Sequence, residues 1–149
     1  KERQDIILYN PAKGRRFTKR IIEALPQYKF QPLKDLSREE LHIIFQSAKL
    51  YIDFGNHPGK DRLPRETAFN HCCIITGKKG AACYFEDIPI FSKYKFNNNK
   101  SEIDKIKETI IYVVNNYEKC IADFEFYRKR ISLEKEKFQN EIREIFLDN

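Results

Sequence analysis

Short apolar runs alternate with amphipathic segments over the first half of the chain. Each run has five or six residues and ends at a segment rich in turn-forming residues, which is typical of buried β-strands. Four strands are predicted on this basis: Asp5–Tyr9, Tyr28–Leu33, Lys49–Phe54 and Cys72–Thr76.

Helices are predicted between these strands. The first, Arg15–Leu25, has three apolar residues at fourfold spacing, which places them on one helical face: Phe17, Ile21 and Leu25. Ser37 and Glu40 have the spacing of a capping box, which predicts a second helix start. Its apolar stripe is predicted to contain Leu41, Ile44, Phe45 and Ala48. Leu63–His71 is predicted to be a short third helix.

The alternation of strands and helices predicts the fold class. It implies right-handed crossovers and a parallel sheet with helices on both faces, so we expect a Rossmann-like α/β fold. Glycine-containing loops follow three of the strands: Asn10–Gly14, Gly55–Arg62 and Gly77–Gly80. Because the carboxyl ends of parallel strands share one edge, these loops should open together where such sheets bind ligands.

The pattern changes after about residue 96. From Lys100 to Asn149 there is no glycine or proline, and apolar residues recur every seven positions: Ile103, Ile110, Tyr117, Phe124, Ile131, Phe138 and Ile145. Such a repeat lies along one line of a helix. The flanking seam is apolar early and charged late, at Arg128 and Lys135. We therefore expect the first half to pack on the domain and the second half to project, fold back or pair with another chain.

This change predicts two regions, a Rossmann-like domain over 1–96 and a helical extension over 97–149. One long helix and two successive helices with a bend near 128–130 are both compatible with the extension. Because the chain begins at Lys1 without a methionine, we expect it to be a piece of a longer protein.

The net charge of +6 is unevenly distributed. Residues 1–96 contain 18 basic and 11 acidic residues, whereas residues 97–149 contain 10 and 11. A basic α/β domain suits a polyanion, a diphosphate or an anionic membrane surface, although a solvated basic surface explains the composition equally well. No apolar run approaches the roughly 20 residues that span a bilayer, and no signal peptide is visible.

The cysteines argue against a metal site. Cys72 and Cys73 are adjacent in an apolar strand, and neither they nor Cys83 and Cys120 have the spacing of zinc ligands. We expect a buried, reduced pair at 72–73. Reduced cysteines favour a cytoplasmic location. The basic surface is also compatible with peripheral association at the inner face of the membrane.

The loop before the third helix is dense in functional groups. Gly59 permits close approach of a ligand, and the helix amino terminus favours phosphate. The nearby side chains are His57, Lys60, Asp61, Arg62, Arg65 and Glu66. The carboxylate of Glu66 could accept hydrogen bonds from both hydroxyls of a ribose. An equally weighted alternative is that Asp61 and Glu66 pair with Arg62 and Arg65 and only cap the helix.

Lys13 lies at the first strand-to-helix turn, where its ammonium group could meet a diphosphate. Arg15 and Arg16 follow in the first helical turn and oppose the helix dipole, at about 0.3–1 kcal/mol each. An anionic ligand would offset that cost, although plain surface charges remain an alternative. The Gly77–Gly80 loop is compatible with a phosphate contact or with a simple turn, and it is not a Walker A loop.

These segments together resemble a known family. Ile6 to about Pro89 is similar to the C-terminal domain of GT-B glycosyltransferases, close to the group 1 type. The similarity lies in the strand-loop-helix at Asn10–Leu25, the segment Ser37–Asp53 before the donor loop, and the donor loop with its glutamate helix at His57–Gly80. Pro58 stands where the family has its first glutamate.

The resemblance implies a site for a nucleotide-diphospho-sugar donor. It implies that Lys13 contacts the diphosphate and that Glu66 holds the ribose. The candidate donor-binding residues, from the loops and the resemblance together, are Lys13, Gly14, Arg15, His57, Gly59, Lys60, Arg62, Glu66 and Gly80. No cofactor or metal is implied. The catalytic base is expected in an N-terminal domain outside this chain, so no catalytic residue is assigned here.

The implied activity is transfer of a sugar to a glycan or lipid-linked acceptor, for which this chain alone would be inactive. A different hypothesis is a non-enzymatic interaction module that assembles through its C-terminal helix, for example as a homodimer. Nucleic-acid binding is the third hypothesis. It is disfavoured because no recognised motif or basic stripe is present, so we expect no nucleic-acid partner.

Overall fold

The computed structural model describes residues 2–57 and 62–147. One parallel sheet contains four strands, β1 (Gln4–Tyr9), β2 (Lys29–Pro32), β3 (Ala48–Asp53) and β4 (Cys73–Thr76), in the order β2-β1-β3-β4. The first helices are α1 (Arg15–Ala24), α2 (Arg38–Ser47) and α3 (Arg62–Phe69). The predicted fold class is confirmed, and the bounds of these elements agree with prediction to within two residues, apart from Ala48.

The four strands end level with one another. Tyr9 lies opposite Pro32 in β2 and Ile52 in β3, and Ile52 lies opposite Ile75 in β4. The chain moves outward from β1 to β2 and then returns past β1 to β3. The strand order therefore reverses between β1 and β3, and this switch point is where open parallel sheets bind ligands.

The second helix begins as its capping box predicts. The Ser37 hydroxyl accepts a hydrogen bond from the Glu40 amide at 3.1 Å, and the Glu40 carboxylate accepts one from the Ser37 amide at 3.1 Å. The hydrogen bond from the Ser37 amide to the carboxylate, assisted by the Ser37 hydroxyl, lowers the pKa of Glu40. The predicted stripe is wrong at one end, because Ala48 is the first residue of β3 rather than part of α2.

The C-terminal region forms α4 (Ile103–Asn115), α5 (Tyr117–Cys120), a 3-10 turn (Ile121–Phe124) and α6 (Glu125–Leu147). Four of the seven repeat positions are buried: Ile110, Tyr117, Phe124 and Ile131. A fifth, Ile103, is partly buried and packs against the core. Phe138 and Ile145 are exposed. The first half of the extension therefore packs on the sheet domain, as the pattern predicts.

The break in this region lies at Asn116 rather than at 128–130. The backbone amide and the side-chain amide of Asn116 both donate to the Tyr112 carbonyl at 2.9 Å, and the φ of −129° at Asn116 lies outside the helical region. Helix α6 runs through 128–130 without interruption. The region is therefore not one continuous helix, and of the other interpretation, two successive helices with a bend near 128–130, only the position of the bend is wrong.

Helices cover the sheet on both faces. Because right-handed crossovers leave β1 in one direction and return in the other, α1 lies on one face, and α2 and α3 lie on the opposite face. Helix α4 packs against α1 and β3, and α6 packs against α3. The cysteines at 72, 73 and 120 are buried free thiols, which confirms the predicted reduced pair. Burial raises the pKa of Cys72 to about 12, so its thiol stays protonated.

Candidate functional site

Gly14 places the amino terminus of α1 directly on the end of β3. Its φ of 60° is in the left-handed region, and a Cβ there would lie 2.7 Å from both the carbonyl carbon and the carbonyl oxygen of Phe54. Glycine is required both by this dihedral angle and by this close approach. The first helical turn is thereby held at the carboxyl edge of the sheet, beside the switch point.

Within the described part of the chain, no side chain caps the amino terminus of α1, whose N-cap residue is Gly14, and its first turn has no acidic residue. The first amides of a helix lack intrahelical partners and carry a positive partial charge, which favours an anion. Arg15 and Arg16 lie in this turn. With Lys79 from the loop after β4 they line a cleft of about 390 Å³, which also includes Asn98. Arg15, Arg16 and Lys79 form no ion pair with the residues that the structure describes.

A smaller depression lies between the ends of β1 and β3, and we call it the switch-point pocket. It has a volume of about 210 Å³ and is lined by Asn10, Lys13, Asp53, Arg62, Leu63 and Pro64. Lys13, in the loop after β1, and Arg62, at the start of α3, thus line the same pocket. The Lys13 ammonium donates to the Asn56 carbonyl at 3.4 Å, across the gap between the loops. The convergence of these two predicted cations at the sheet edge is therefore observed.

Glu66 pairs with the arginine one turn before it on α3. Arg62 Nε donates to Glu66 Oε1 at 2.8 Å, and this hydrogen bond raises the pKa of Arg62. Arg65 instead donates to Glu134 of α6 at 2.7 Å. The ion pair that this alternative predicts is observed for Arg62 and Glu66 but not for Arg65, while Asp61 lies outside the described residues. Because the Arg62 side chain is 81% exposed, the pair contributes little to stability.

His57 lies below the sheet edge rather than on it. Its side chain is fully buried, and its Nε2 is 3.4 Å from Asp53 Oδ1. The His57 amide donates to the Lys79 carbonyl at 3.4 Å, and Gly80, with a φ of 62°, packs directly on the His57 backbone. This geometry supports a role in holding the loops after β3 and β4 together, not direct ligand contact. Gly59 and Lys60 lie outside the described residues.

Sequence analysis missed Asp53. Its carboxylate is buried at the end of β3, where Oδ2 accepts from the Tyr51 hydroxyl at 2.6 Å and Oδ1 accepts from the Gly55 amide at 3.0 Å. A charged residue at the end of an apolar strand was the available signal.

Asn98 was also missed, because spacing does not place the segment after residue 96 beside β3. The Asn98 side-chain amide donates to the Phe54 carbonyl at 2.6 Å. Its Oδ1 is buried, lies against Gly77 and has no hydrogen-bond partner among the described residues. Asn98 therefore holds the end of β3 beside the loop after β4, directly beneath the Gly14 contact.

The fold and this edge define an α/β protein with a Rossmann-like parallel sheet and a basic cleft at its carboxyl edge. No family model matches the chain, and no curated protein sequence matches it. Over residues 2–57 and 62–147, no helix is both long enough and apolar enough to cross a membrane. The same residues contain no group of three or more histidine, cysteine or acidic side chains placed to hold a metal ion.

Proposed function

We propose that this chain is the donor-binding domain of a glycosyltransferase, similar to the C-terminal domain of the GT-B group 1 type. It binds a nucleotide-diphospho-sugar at the carboxyl edge of the sheet. The observation that carries this proposal is the uncapped amino terminus of α1, which Gly14 holds against the end of β3. Cations of the 390 Å³ cleft and of the switch-point pocket lie on either side of it.

The charges around Gly14 suit a diphosphate. Lys13 lies immediately before Gly14 in the switch-point pocket, and Arg15 and Arg16 lie immediately after it in the 390 Å³ cleft at the amino terminus of α1. A diphosphate above Gly14 would meet backbone amides, the helix dipole and cations on both sides. The same groups would stabilise the negative charge that develops on a departing nucleoside diphosphate.

The acceptor site and the catalytic base belong, in this proposal, to a preceding domain. The chain on its own therefore binds the donor without transferring the sugar. Because the donor site uses backbone amides and fixed cations, it binds the diphosphate without a metal ion.

Calorimetric titration with a panel of uridine, guanosine, adenosine and cytidine nucleotide sugars tests the proposal. We expect one nucleotide class to bind, and Lys13→Ala to weaken its binding about 10- to 100-fold, since a charged hydrogen bond contributes about 1.5–3 kcal/mol. Lys105→Ala is the matched control because Lys105 is an exposed lysine on α4. Absence of binding by every nucleotide sugar would contradict the proposal.

Glu66→Gln tests the ribose contact separately. This change keeps the size of the side chain and removes its charge. We expect weaker binding of the nucleoside diphosphate and unchanged binding of inorganic pyrophosphate, which has no ribose. Equal losses for both ligands would show that Glu66 acts only through its pair with Arg62.

A second candidate, an interaction module, is favoured by one observation on α6. Phe138, Ile142 and Ile145 are 62%, 38% and 61% exposed at the spacing of one helical face. Such a stripe is compatible with pairing to another copy of the chain. Light scattering distinguishes the two functions: a monomer with and without residues 125–149 removes the reason for this candidate.

A further inference from the structure

A buried carboxylate forms part of the switch-point pocket. Asp53 is only 4% exposed, yet it lines the pocket together with the cations Lys13 and Arg62. A buried carboxylate is costly unless it is hydrogen-bonded. It lies beside two cations at the point where ligands bind to this class of sheet, which is the position of a residue that contacts a ligand.

The protein fixes the orientation of this carboxylate without using all of its acceptor sites. Tyr51 and Gly55 each donate one hydrogen bond to it, and His57 Nε2 approaches Oδ1 at 3.4 Å. An ionised carboxylate has about four acceptor positions. The Asp53 carboxylate can therefore accept about one more hydrogen bond.

Gly55 brings the carboxylate and the lysine close together. A Cβ at residue 55 would lie 2.5 Å from Lys13 Cβ and 3.2 Å from Asp53 Oδ1. Any larger residue would displace one of these side chains. The chain thus places a fixed acceptor and a cation on either side of one glycine.

The two cations and the carboxylate of this pocket favour a ligand that carries both an anionic group and a hydrogen-bond donor. A bare anion is attracted by Lys13 and Arg62 but repelled by Asp53, whereas a hydroxyl group can donate to Asp53. The pocket of about 210 Å³ has the volume of roughly seven waters, at about 30 Å³ each, which suits one sugar ring and not a whole nucleotide sugar.

We propose that Asp53 accepts a hydrogen bond from a hydroxyl group of the donor while Lys13 and Arg62 hold the adjoining diphosphate. Asp53 is then a specificity-determining residue for hydroxyl-bearing diphosphates. This inference rests on the proposed function. The hydroxyl belongs either to the ribose or to the transferred sugar, and the two sources share the same chemistry.

The test compares three probes on the wild-type chain, on Asp53→Asn and on the exposed control Asp104→Asn. The probes are inorganic pyrophosphate, the nucleotide sugar that binds in the panel, and its analogues that lack a single ribose or sugar hydroxyl. We expect Asp53→Asn to weaken nucleotide-sugar binding about tenfold and to leave pyrophosphate binding unchanged or slightly tighter. One deoxy analogue should bind the wild-type chain about tenfold more weakly and lose that penalty in Asp53→Asn, which identifies the source of the hydroxyl.

Parallel losses for pyrophosphate and nucleotide sugar in Asp53→Asn would overturn the inference, because they indicate a structural role. Uniform binding of all deoxy analogues to the wild-type chain would overturn it as well, and this arm needs no folded variant. If a nucleotide sugar binds and Asp53→Asn has no effect, only this inference fails. If no nucleotide sugar binds, the proposed function fails and the inference fails with it.

Discussion

The Arg3 side chain caps the C-terminal ends of two helices, α2 and α3. Its guanidinium group donates to the carbonyls of Phe45 and Ala48 at 2.8 and 2.7 Å, and to the carbonyl of Asn70 at 2.5 Å. These carbonyls lie at the end of α2 and just after α3, where helices leave acceptors without intrahelical partners. Arg3 also lies over the Tyr117 ring at 5.7 Å.

Arg3→Gln should lower the free energy of unfolding by about 2–3 kcal/mol, because a shorter side chain leaves part-buried carbonyls without a donor. Urea unfolding followed by circular dichroism measures this change. Arg20→Gln is the matched control, since Arg20 is exposed on α1. A loss below about 0.5 kcal/mol for Arg3→Gln would show that water replaces the guanidinium at these carbonyls.

At the residue scale, the sequence predicts the side chains whose position follows from strand ends. Lys13, Gly14 and Arg62 were predictable because parallel strands end at one edge, whichever way the helices pack. His57 was misplaced because its burial depends on how the loops after β3 and β4 pack together. Asn98 was not predictable at all, since the contact with Phe54 spans 44 positions of the chain.

At the element scale, α6 leaves the domain about halfway along its length. Its last described anchors are Glu134, which accepts from Arg65 at 2.7 Å, and Lys135, whose Nζ lies 3.9 Å from the centroid of the Phe69 ring. Side chains from 136 to 145 are exposed. A seven-residue repeat predicts which face of a helix is apolar, but it does not predict the residue at which α6 extends beyond its contact with α3.

Ending the chain after Lys137 should therefore change the free energy of unfolding by less than about 1 kcal/mol, because only exposed side chains of the described part are lost. Ending it after Phe124 is the contrasting case, since it also removes the buried Tyr127 and Ile131 and should cost about 3 kcal/mol or more. Urea unfolding compares both. A large loss on ending at Lys137 would mean that the apolar stripe on α6 is covered in solution.

Asp123 connects the 3-10 turn at 121–124 to the turn at 92–94. The Tyr94 hydroxyl donates to its Oδ2 at 2.6 Å, and Lys93 Nζ lies 3.1 Å from the same oxygen. Burial alone would raise the pKa of Asp123, but these two contacts outweigh burial and the pKa lies below its ordinary value of 3.8. A carboxyl with a lowered folded pKa stabilises the fold above its unfolded pKa, and this stability is lost as pH falls through the folded pKa.

Asp123→Asn should consequently lower the free energy of unfolding at pH 7 by about 1–2 kcal/mol, because a charged hydrogen-bond acceptor is lost. The difference from the wild-type chain should stay constant down to about pH 5 and shrink below pH 3.8, the ordinary pKa. Urea unfolding at several pH values measures it, with the exposed Asp104→Asn as control. A difference that persists unchanged at pH 2–3 would assign the effect to packing instead of charge.

At the scale of the whole molecule, the sheet and the C-terminal helices share one apolar core. The cluster that contains the β-strand residues also contains Ile106, Ile110, Val113, Phe124 and Ile131. The shift in composition at residue 97 predicts a boundary in sequence, but periodicity does not show that α4 packs on the sheet and that α6 packs against α3. Helix α4 covers one face. That face carries α1 and α4, and α4 contacts β3 directly.

A chain that ends at Phe96 should fail to fold cooperatively, because it would expose the side of the sheet that α4 covers and would leave the Phe54 carbonyl without Asn98. Unfolding by urea, followed by circular dichroism and by tyrosine fluorescence, tests this. The full chain should show coincident transitions, whereas the shortened chain should show none. A sharp, coincident transition for residues 1–96 alone would establish them as an autonomous domain, and the helices would then be an appendage and not a part of its core.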